Sequence, residues 1–115
     1  NSPEEKSMSV LDEKIVDGIA LDQNKKCLCL LITDHLDWSR EYDHLIALQN
    51  KINGYITFCE NRQYCEIYPD AQIKYAVFEI HFLYEPTEKA WKFLEEVQKQ
   101  VNEMGIRLKC QISKQ

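Results

Sequence analysis

The first third of the chain contains two short hydrophobic runs separated by a polar turn. Residues 15–21 are apolar and β-branched, and residues 27–33 form an almost unbroken apolar run. Residues 22–25 between them, Asp-Gln-Asn-Lys, are of the types that favour turns. This pattern predicts a β-hairpin whose second strand is buried on both faces.

From residue 38 onward the apolar residues are spaced by three or four positions, which is the period of an α-helix. The residues at this spacing are Trp38, Tyr42, Leu45, Leu48, Ile52, Tyr55 (or Ile56) and Cys59. They predict a buried stripe along a helix of about six turns. We expect Asp37 or Ser39 to cap this helix, because either side chain can accept from a free amide of the first turn.

A polar connector at residues 61–70, with one expected helical turn near its middle, leads to the clearest strand pattern in the chain. Residues 73–84 alternate between two faces. The face predicted to be buried carries Ala76, Phe78, Ile80, Phe82 and Tyr84.

A second helix is predicted to open at Pro86, where the missing amide proton of proline is no loss. Its expected buried stripe consists of Ala90, Phe93, Leu94, Val97, Val101 and Met104. Gly105 can adopt a positive φ and so end this helix. Residues 106–112 alternate apolar and polar side chains again, which predicts a final strand with one face in water.

The predicted elements follow the order β-β-α-β-α-β. Two helices must cover apolar sheet surface, and a two-layer arrangement does this with the fewest exposed faces. We therefore predict an α+β fold in which a four-stranded mixed sheet carries both helices on one face. Residues 9–115 are expected to form this single domain, and residues 1–8, which lack periodicity, a flexible tail.

The chain is acidic, with 14 Lys and Arg against 19 Asp and Glu and a net charge of −5. Nucleic-acid binding relies on clustered Lys and Arg that neutralise phosphates, and anionic membranes attract basic segments. We therefore expect neither nucleic acid nor membrane as a partner. A basic protein partner is compatible with this charge.

The cysteine pattern indicates reduced thiols in a cytoplasmic protein. The five cysteines are Cys27, Cys29, Cys59, Cys65 and Cys110, an odd number without a C-x-x-C pair. Cys27 and Cys29 would share one strand face but are poorly placed to bridge each other. No run approaches the roughly 20 apolar residues that a membrane helix needs.

The densest group of polar residues lies where the second strand gives way to the first helix. The metal-ligand candidates there are His35, Asp37, Glu41 and His44, and the catalytic candidates are Asp34, His35 and His44. Mixed carboxylate and imidazole donors suit a metal ion, and a carboxylate can also orient a histidine. Capping and packing explain the same residues, since Asp34 and Asp37 suit turns and Trp38 begins the apolar stripe.

His81 shares a strand face with Glu79, which allows an acid–base pair or a structural hydrogen bond. Aromatic residues are frequent around the connector and the third strand, where they can serve either the core or an interface. Trp91 lies beside the stripe of the second helix rather than within it, so we expect it to be an exposed anchor. No Gly-rich phosphate loop or activated nucleophile is present.

Several segments together resemble a family of small bacterial proteins that is known only as a domain of unknown function. They are residues 16–19 (VDGI), 32–38 (ITDHLDW), 52–55 (INGY), 68–71 (YPDA) and 84–86 (YEP), and the likeness covers residues 9–112. D-H-L-x-W is the most specific of them. The resemblance implies a bacterial, cytoplasmic α+β protein without an established activity or cofactor, and it points to Asp17, Asp34, His35, Trp38 and Tyr55.

These observations favour a non-catalytic protein-interaction module, of which an immunity-type protein that covers a basic toxin is one form. The predicted binding residues are Asp17, Asp34, His35, Asp37, Trp38 and Tyr55. A metal-assisted or acid–base enzyme and a small-ligand binder remain as alternatives, both centred on residues 34–38. We expect no cofactor, an unidentified protein partner, and a monomer or homodimer.

Overall fold

The computed structural model describes residues 16–113. The predicted tail at residues 1–8 and the predicted first residue of the hairpin, Ile15, lie outside this range. The strands are β1 (Gly18–Asp22), β2 (Cys27–Asp34), β3 (Tyr75–Phe82) and β4 (Ile106–Ile112). The helices are α1 (Glu41–Glu60) and α2 (Glu88–Asn102), with a short 3₁₀ helix at Gln63–Glu66 in the connector.

The four strands form one mixed sheet in the order β1-β2-β3-β4. β1 pairs with β2 antiparallel through a turn in which Asp22 Oδ1 accepts from the amides of Asn24 and Lys25. β2 and β3 are parallel, as are β3 and β4, and the two connections between them contain α1 and α2. The element order and the α+β class predicted from periodicity are therefore confirmed.

Both helices pack on the same face of the sheet. That face carries Leu28, Leu30, Ile32, Ala76, Phe78, Ile80 and Phe82, each at most 4% exposed. Tyr55 of α1 meets Phe78 edge-on at 5.6 Å between ring centroids, and Trp91 of α2 meets Phe82 at 6.4 Å. The opposite face of β2 and β3 is mostly half-buried, so the prediction that β2 is buried on both faces is wrong.

Helix α1 begins three residues later than the apolar stripe predicted. Arg40 is its N-cap residue and makes no side-chain capping bond within the described part of the chain. The predicted cap at Asp37 or Ser39 is wrong, because Asp37 Oδ1 accepts from the amide and hydroxyl of Ser39 instead. The Asp37 side chain is hydrogen-bonded within this turn, so it does not cap the helix.

The buried face of α1 also differs from the predicted stripe. Tyr42 is 70% exposed, whereas His44 and Lys51 are buried together with the expected Leu48, Ile52 and Tyr55. Helical spacing alone places His44 and Lys51 beside Leu48, but their polarity argued against burial. Each is buried because it has a charged partner inside the protein, Asp34 and Asp17 respectively.

Helix α2 starts at Glu88 rather than at Pro86, and Thr87 caps it by accepting from the amide of Ala90. Met104, predicted to be buried, is 50% exposed because it lies beyond the end of the helix. Gly105 has the expected positive φ, at 75°.

The third strand is shorter than predicted, so Tyr84 follows it as an exposed residue. Trp91 is half-buried against the core rather than an exposed anchor. Within residues 16–113, neither helix combines the length and the apolarity needed to cross a membrane.

Candidate functional site

The predicted cluster lies at the carboxyl end of β2, where residues 35–40 lead into α1. These six residues are called the connector from here on. At its centre, His44 Nε2 lies 2.6 Å from Asp34 Oδ2, and both side chains are almost fully buried. The other oxygen of Asp34 accepts from the amide of Leu36 at 3.1 Å. The last residue of a central strand is thereby bonded both to the connector and to the first turn of the helix.

The second ring nitrogen of His44, Nδ1, lies 3.0 Å from the backbone oxygen of Asp37. A carbonyl oxygen can only accept, so Nδ1 must carry a hydrogen. In the neutral ring Nε2 would then be an acceptor facing a carboxylate, which also only accepts. The short contact with Asp34 therefore requires one further proton, carried either by the ring or by the carboxyl group.

Trp38 closes this pair off from one side. Its indole stacks on the His44 ring with centroids 3.6 Å apart and 18° between the planes, and it also touches Phe82. The indole nitrogen donates to the backbone oxygen of Tyr84 at 3.3 Å. Both nitrogens of His44 are bonded within the protein, so the ring joins the helix to the connector and to the end of β2.

The four predicted metal ligands do not converge. His35 and Asp37 are exposed, the Glu41 carboxylate accepts from the hydroxyl of Thr87, and His44 points inward to Asp34. Among residues 16–113, no group of three or more His, Cys, Asp and Glu side chains is placed to hold a metal ion.

Asp37 serves the connector through its own short turn. Hydrogen bonds from the side chain and backbone of Ser39 lower the pKa of the exposed Asp37 carboxyl, because they stabilise its charged form. Asp37 therefore contributes to the site in two ways, as a carboxylate that holds the turn and as the backbone acceptor for His44.

Sequence reasoning missed Lys51, which forms the second buried polar contact of the site. Its amino group lies 2.9 Å from Asp17 Oδ1, and both side chains are fully buried. The other oxygen of Asp17 accepts from the amide and hydroxyl of Thr33. The signal was present, since Lys51 stands three positions after Leu48 and four before Tyr55, but a lysine at such a position is normally assigned to the surface.

Tyr55, a predicted binding residue, belongs to this buried network. Its hydroxyl donates to the backbone oxygen of Leu31 at 2.5 Å and accepts from the amide of Asp17 at 2.8 Å. Burial raises the pKa of this hydroxyl well above its usual range. Asp17 and Tyr55 thus join the start of β1 to α1 rather than lining an open surface.

The other two histidines are near the half-exposed face of the sheet. His81 Nε2 lies 2.9 Å from Glu79 Oε1, as their shared strand face predicted, and both side chains are about one-third exposed. His35 and His81 line a shallow cleft of about 260 Å³ at the carboxyl end of β2 and β3, together with Gln111 and Ser113.

Outside the buried pair lies a surface that combines exposed aromatic and acidic side chains. We call it the acidic aromatic surface. It comprises the half-buried Glu41 and six exposed residues, which are Asp37, Tyr42, Asp43, Tyr84, Glu85 and Glu88. Tyr42 is 70% and Tyr84 46% exposed. The bonds from Trp38 to Tyr84 and between Thr87 and Glu41 hold its two contributing segments side by side.

Comparison with known proteins places the chain in a family. Residues 8–114 match the family of unknown function DUF6572, which agrees with the resemblance seen over residues 9–112. No curated protein and no solved structure shows significant similarity to the chain. Because the match spans nearly the whole sequence, the protein belongs to DUF6572.

Proposed function

We propose that this protein is a non-catalytic binding module that recognises a basic surface of another protein through its acidic aromatic surface. The single observation that carries the proposal is the exposure of Tyr42 and Tyr84 among carboxylates, on two segments that hydrogen bonds hold side by side. Large apolar rings in water are free to be buried by a partner, and tyrosine does this at small entropic cost.

The charges of this surface define the partner. Residues 37–43 and 84–89 carry five carboxylates and two basic side chains, Arg40 and Lys89. Such an excess of negative charge attracts a basic surface over a distance of about 10 Å and accelerates association more than it adds to affinity. Binding should therefore weaken and slow as the salt concentration rises.

The buried contacts beneath the surface support a binding role. The Asp34–His44 pair and the Trp38 stack fix the connector that presents Tyr42, so little ordering entropy is lost when a partner binds. The enzyme alternative receives less support, because the polar groups of His44 and Asp34 are bonded to each other and to the backbone.

The protein is proposed to act in the cytoplasm of a bacterium. The five cysteines are free thiols in the structure, which supports a reducing compartment. An immunity-type protein that covers the basic site of a toxin is one specific form of this function. A toxin gene directly beside the gene for this chain would support that form.

The test is comparative affinity capture from cells that carry the gene, followed by binding measurements with the purified candidate partner. Wild type is compared with Tyr42→Ser and Asp43→Lys, and with the control Ile67→Ser, which removes an exposed apolar side chain outside the acidic aromatic surface. We expect a basic protein that wild type and the control bind equally, whereas either surface variant binds it at least about tenfold more weakly. The proposal would be refuted if both surface variants captured the partner as well as wild type, or if the binding did not depend on the salt concentration.

A further inference from the structure

Two thiols lie side by side on β2, away from the acidic aromatic surface. The Sγ atoms of Cys27 and Cys29 are 3.8 Å apart on the sheet face that the helices leave uncovered. Cys27 is 4% exposed, and Cys29 is half-buried and so accessible from the solvent. Alternate residues of a strand point to the same face, which explains the pairing.

The fold keeps these thiols adjacent without allowing them to bridge. Residues two apart on a strand are separated by about 6.6 Å, the long end of the range that a disulfide spans. β2 is paired along both of its sides, Cys27 opposite Asp22 and Tyr75 and Cys29 opposite Ala20 and Val77. A bridge would have to shorten a strand that both neighbours hold extended.

Carboxylates lie close to the two thiols. The negative charges of Glu79 and Asp22 act on the Cys29 thiol, and Glu79 is also shared with His81 Nε2 at 2.9 Å and Lys109 Nζ at 3.8 Å. A cation held by the two sulfurs is attracted by the same carboxylates.

We propose that Cys27 and Cys29 form a binding site for a soft, thiophilic metal ion, with Cu(I) as the biological representative. Metal–sulfur bonds of about 2.3 Å to two sulfurs at this separation enclose an angle of about 110°, which suits a trigonal or tetrahedral ion. Thiolate ligands select soft ions, whereas Zn²⁺ in proteins usually requires three or four protein ligands.

Binding is an exchange of protons for metal and involves no oxidation. Each S–H bond breaks, each sulfur forms one bond to the ion, and two protons pass to the solvent while copper remains Cu(I). Within the described residues no third Cys, His, Asp or Glu completes the site. The remaining coordination position opens to solution on the accessible side of Cys29.

The test is an anaerobic titration of the reduced protein with Cu(I), in competition with a chromogenic Cu(I) chelator. We expect one ion per chain and two protons released per ion. Cys29→Ser should lower the affinity by at least about tenfold, since even groups outside the metal's own ligands contribute that much. Cys27→Ser should do the same.

The matched control is Cys110→Ser, which changes a half-buried cysteine on β4 whose side chain faces the helices. It should bind Cu(I) like wild type. Circular dichroism of each variant confirms that it is folded, and Cys29→Ser is decisive because it alters the more exposed thiol. The proposal is overturned if wild type does not compete for Cu(I), if folded Cys29→Ser binds it as tightly as wild type, or if Cys110→Ser is equally impaired.

Discussion

The amino group of Lys51 in the middle of α1 lies 2.9 Å from the carboxylate of Asp17, immediately before β1, and neither side chain reaches solvent. The contact ties an edge strand to a helix across 34 residues of sequence. Lys51→Met would leave the Asp17 charge buried without its ionic partner. We expect a loss of about 3–5 kcal/mol in the free energy of unfolding, measured by urea denaturation.

Two variants make this prediction specific. Lys89→Met removes an exposed lysine from a helix and should change the stability by less than about 0.5 kcal/mol. The double variant Asp17→Asn/Lys51→Met removes both charges and should be more stable than Lys51→Met alone. Equal effects of Lys51→Met and Lys89→Met would contradict the buried ion pair.

Asp34 supports the connector, so its removal should affect stability rather than a reaction. Asp34→Ala leaves a ring nitrogen of buried His44 and the amide of Leu36 without their hydrogen-bond partner. We expect a cost of about 3 kcal/mol and a melting temperature lower by about 10 °C or more. Near-ultraviolet circular dichroism should also change, because Trp38 stacks on His44.

The control for this prediction is His35→Ala, which removes an exposed neighbour and should melt within about 2 °C of wild type. An Asp34→Ala protein that melts like wild type would show that Asp34 is dispensable for folding. The carboxylate would then have to be explained by a function of its own.

Periodicity predicted the order of elements because sheet and helix burial depend on spacing, which is local in the sequence. It failed for α1, because the burial of some α1 residues depends on partners that are distant in the sequence. Tyr42 has the apolar spacing but faces water, and Lys51 is buried because Asp17 arrives from another part of the chain. The capping prediction failed because the Asp37 side chain accepts a hydrogen bond from Ser39, which precedes the helix.

The candidate site was predicted in part. The sequence placed Asp34 and His44 in one cluster, and a carboxylate-oriented histidine was one of the arrangements that it allowed. It could not show that Asp37 would bind His44 through its backbone oxygen, since this depends on the path of the connector. The exposure of Tyr84 was missed because alternation continues past the last residue of β3.

Ser39 should control the ionisation of Asp37. Its hydroxyl is the first cause of the lowered pKa of that carboxyl, so Ser39→Ala should raise the pKa toward the ordinary value. A lowered pKa means that the stabilising effect is present above the ordinary carboxyl range and is lost as the pH falls through the lowered value. Carboxyl NMR titration of Asp37 measures the change.

Ser113→Ala provides the comparison for this titration, because it removes an exposed hydroxyl far along the chain. The Asp37 titration should match that of wild type in this variant. If Ser39→Ala leaves the Asp37 titration unmoved, the hydrogen bond between the two side chains does not form in solution.

Alkaline pH should destabilise the protein through its buried thiols and Tyr55. Burial raises the pKa of Cys59 and of Cys110 to about 11 in each case, and it also raises the pKa of the Tyr55 hydroxyl. A folded state with raised pKa values binds protons more tightly than the unfolded chain. Its stability is therefore fully present below the ordinary thiol pKa of about 8.5 and is lost as the pH rises toward 11.

Urea denaturation between about pH 7 and pH 10 measures this loss, and Cys110→Ala isolates one contribution. Without the Cys110 thiol, the decline of stability with pH should be shallower. Ile112→Val serves as the control, since it shortens an apolar side chain two residues away on β4 and removes no ionisable group. Ile112→Val should lower the free energy of unfolding by the same amount at every pH. If the free energy of unfolding of Cys110→Ala declines with pH as steeply as that of Ile112→Val, the Cys110 thiol ionises as easily in the folded as in the unfolded chain.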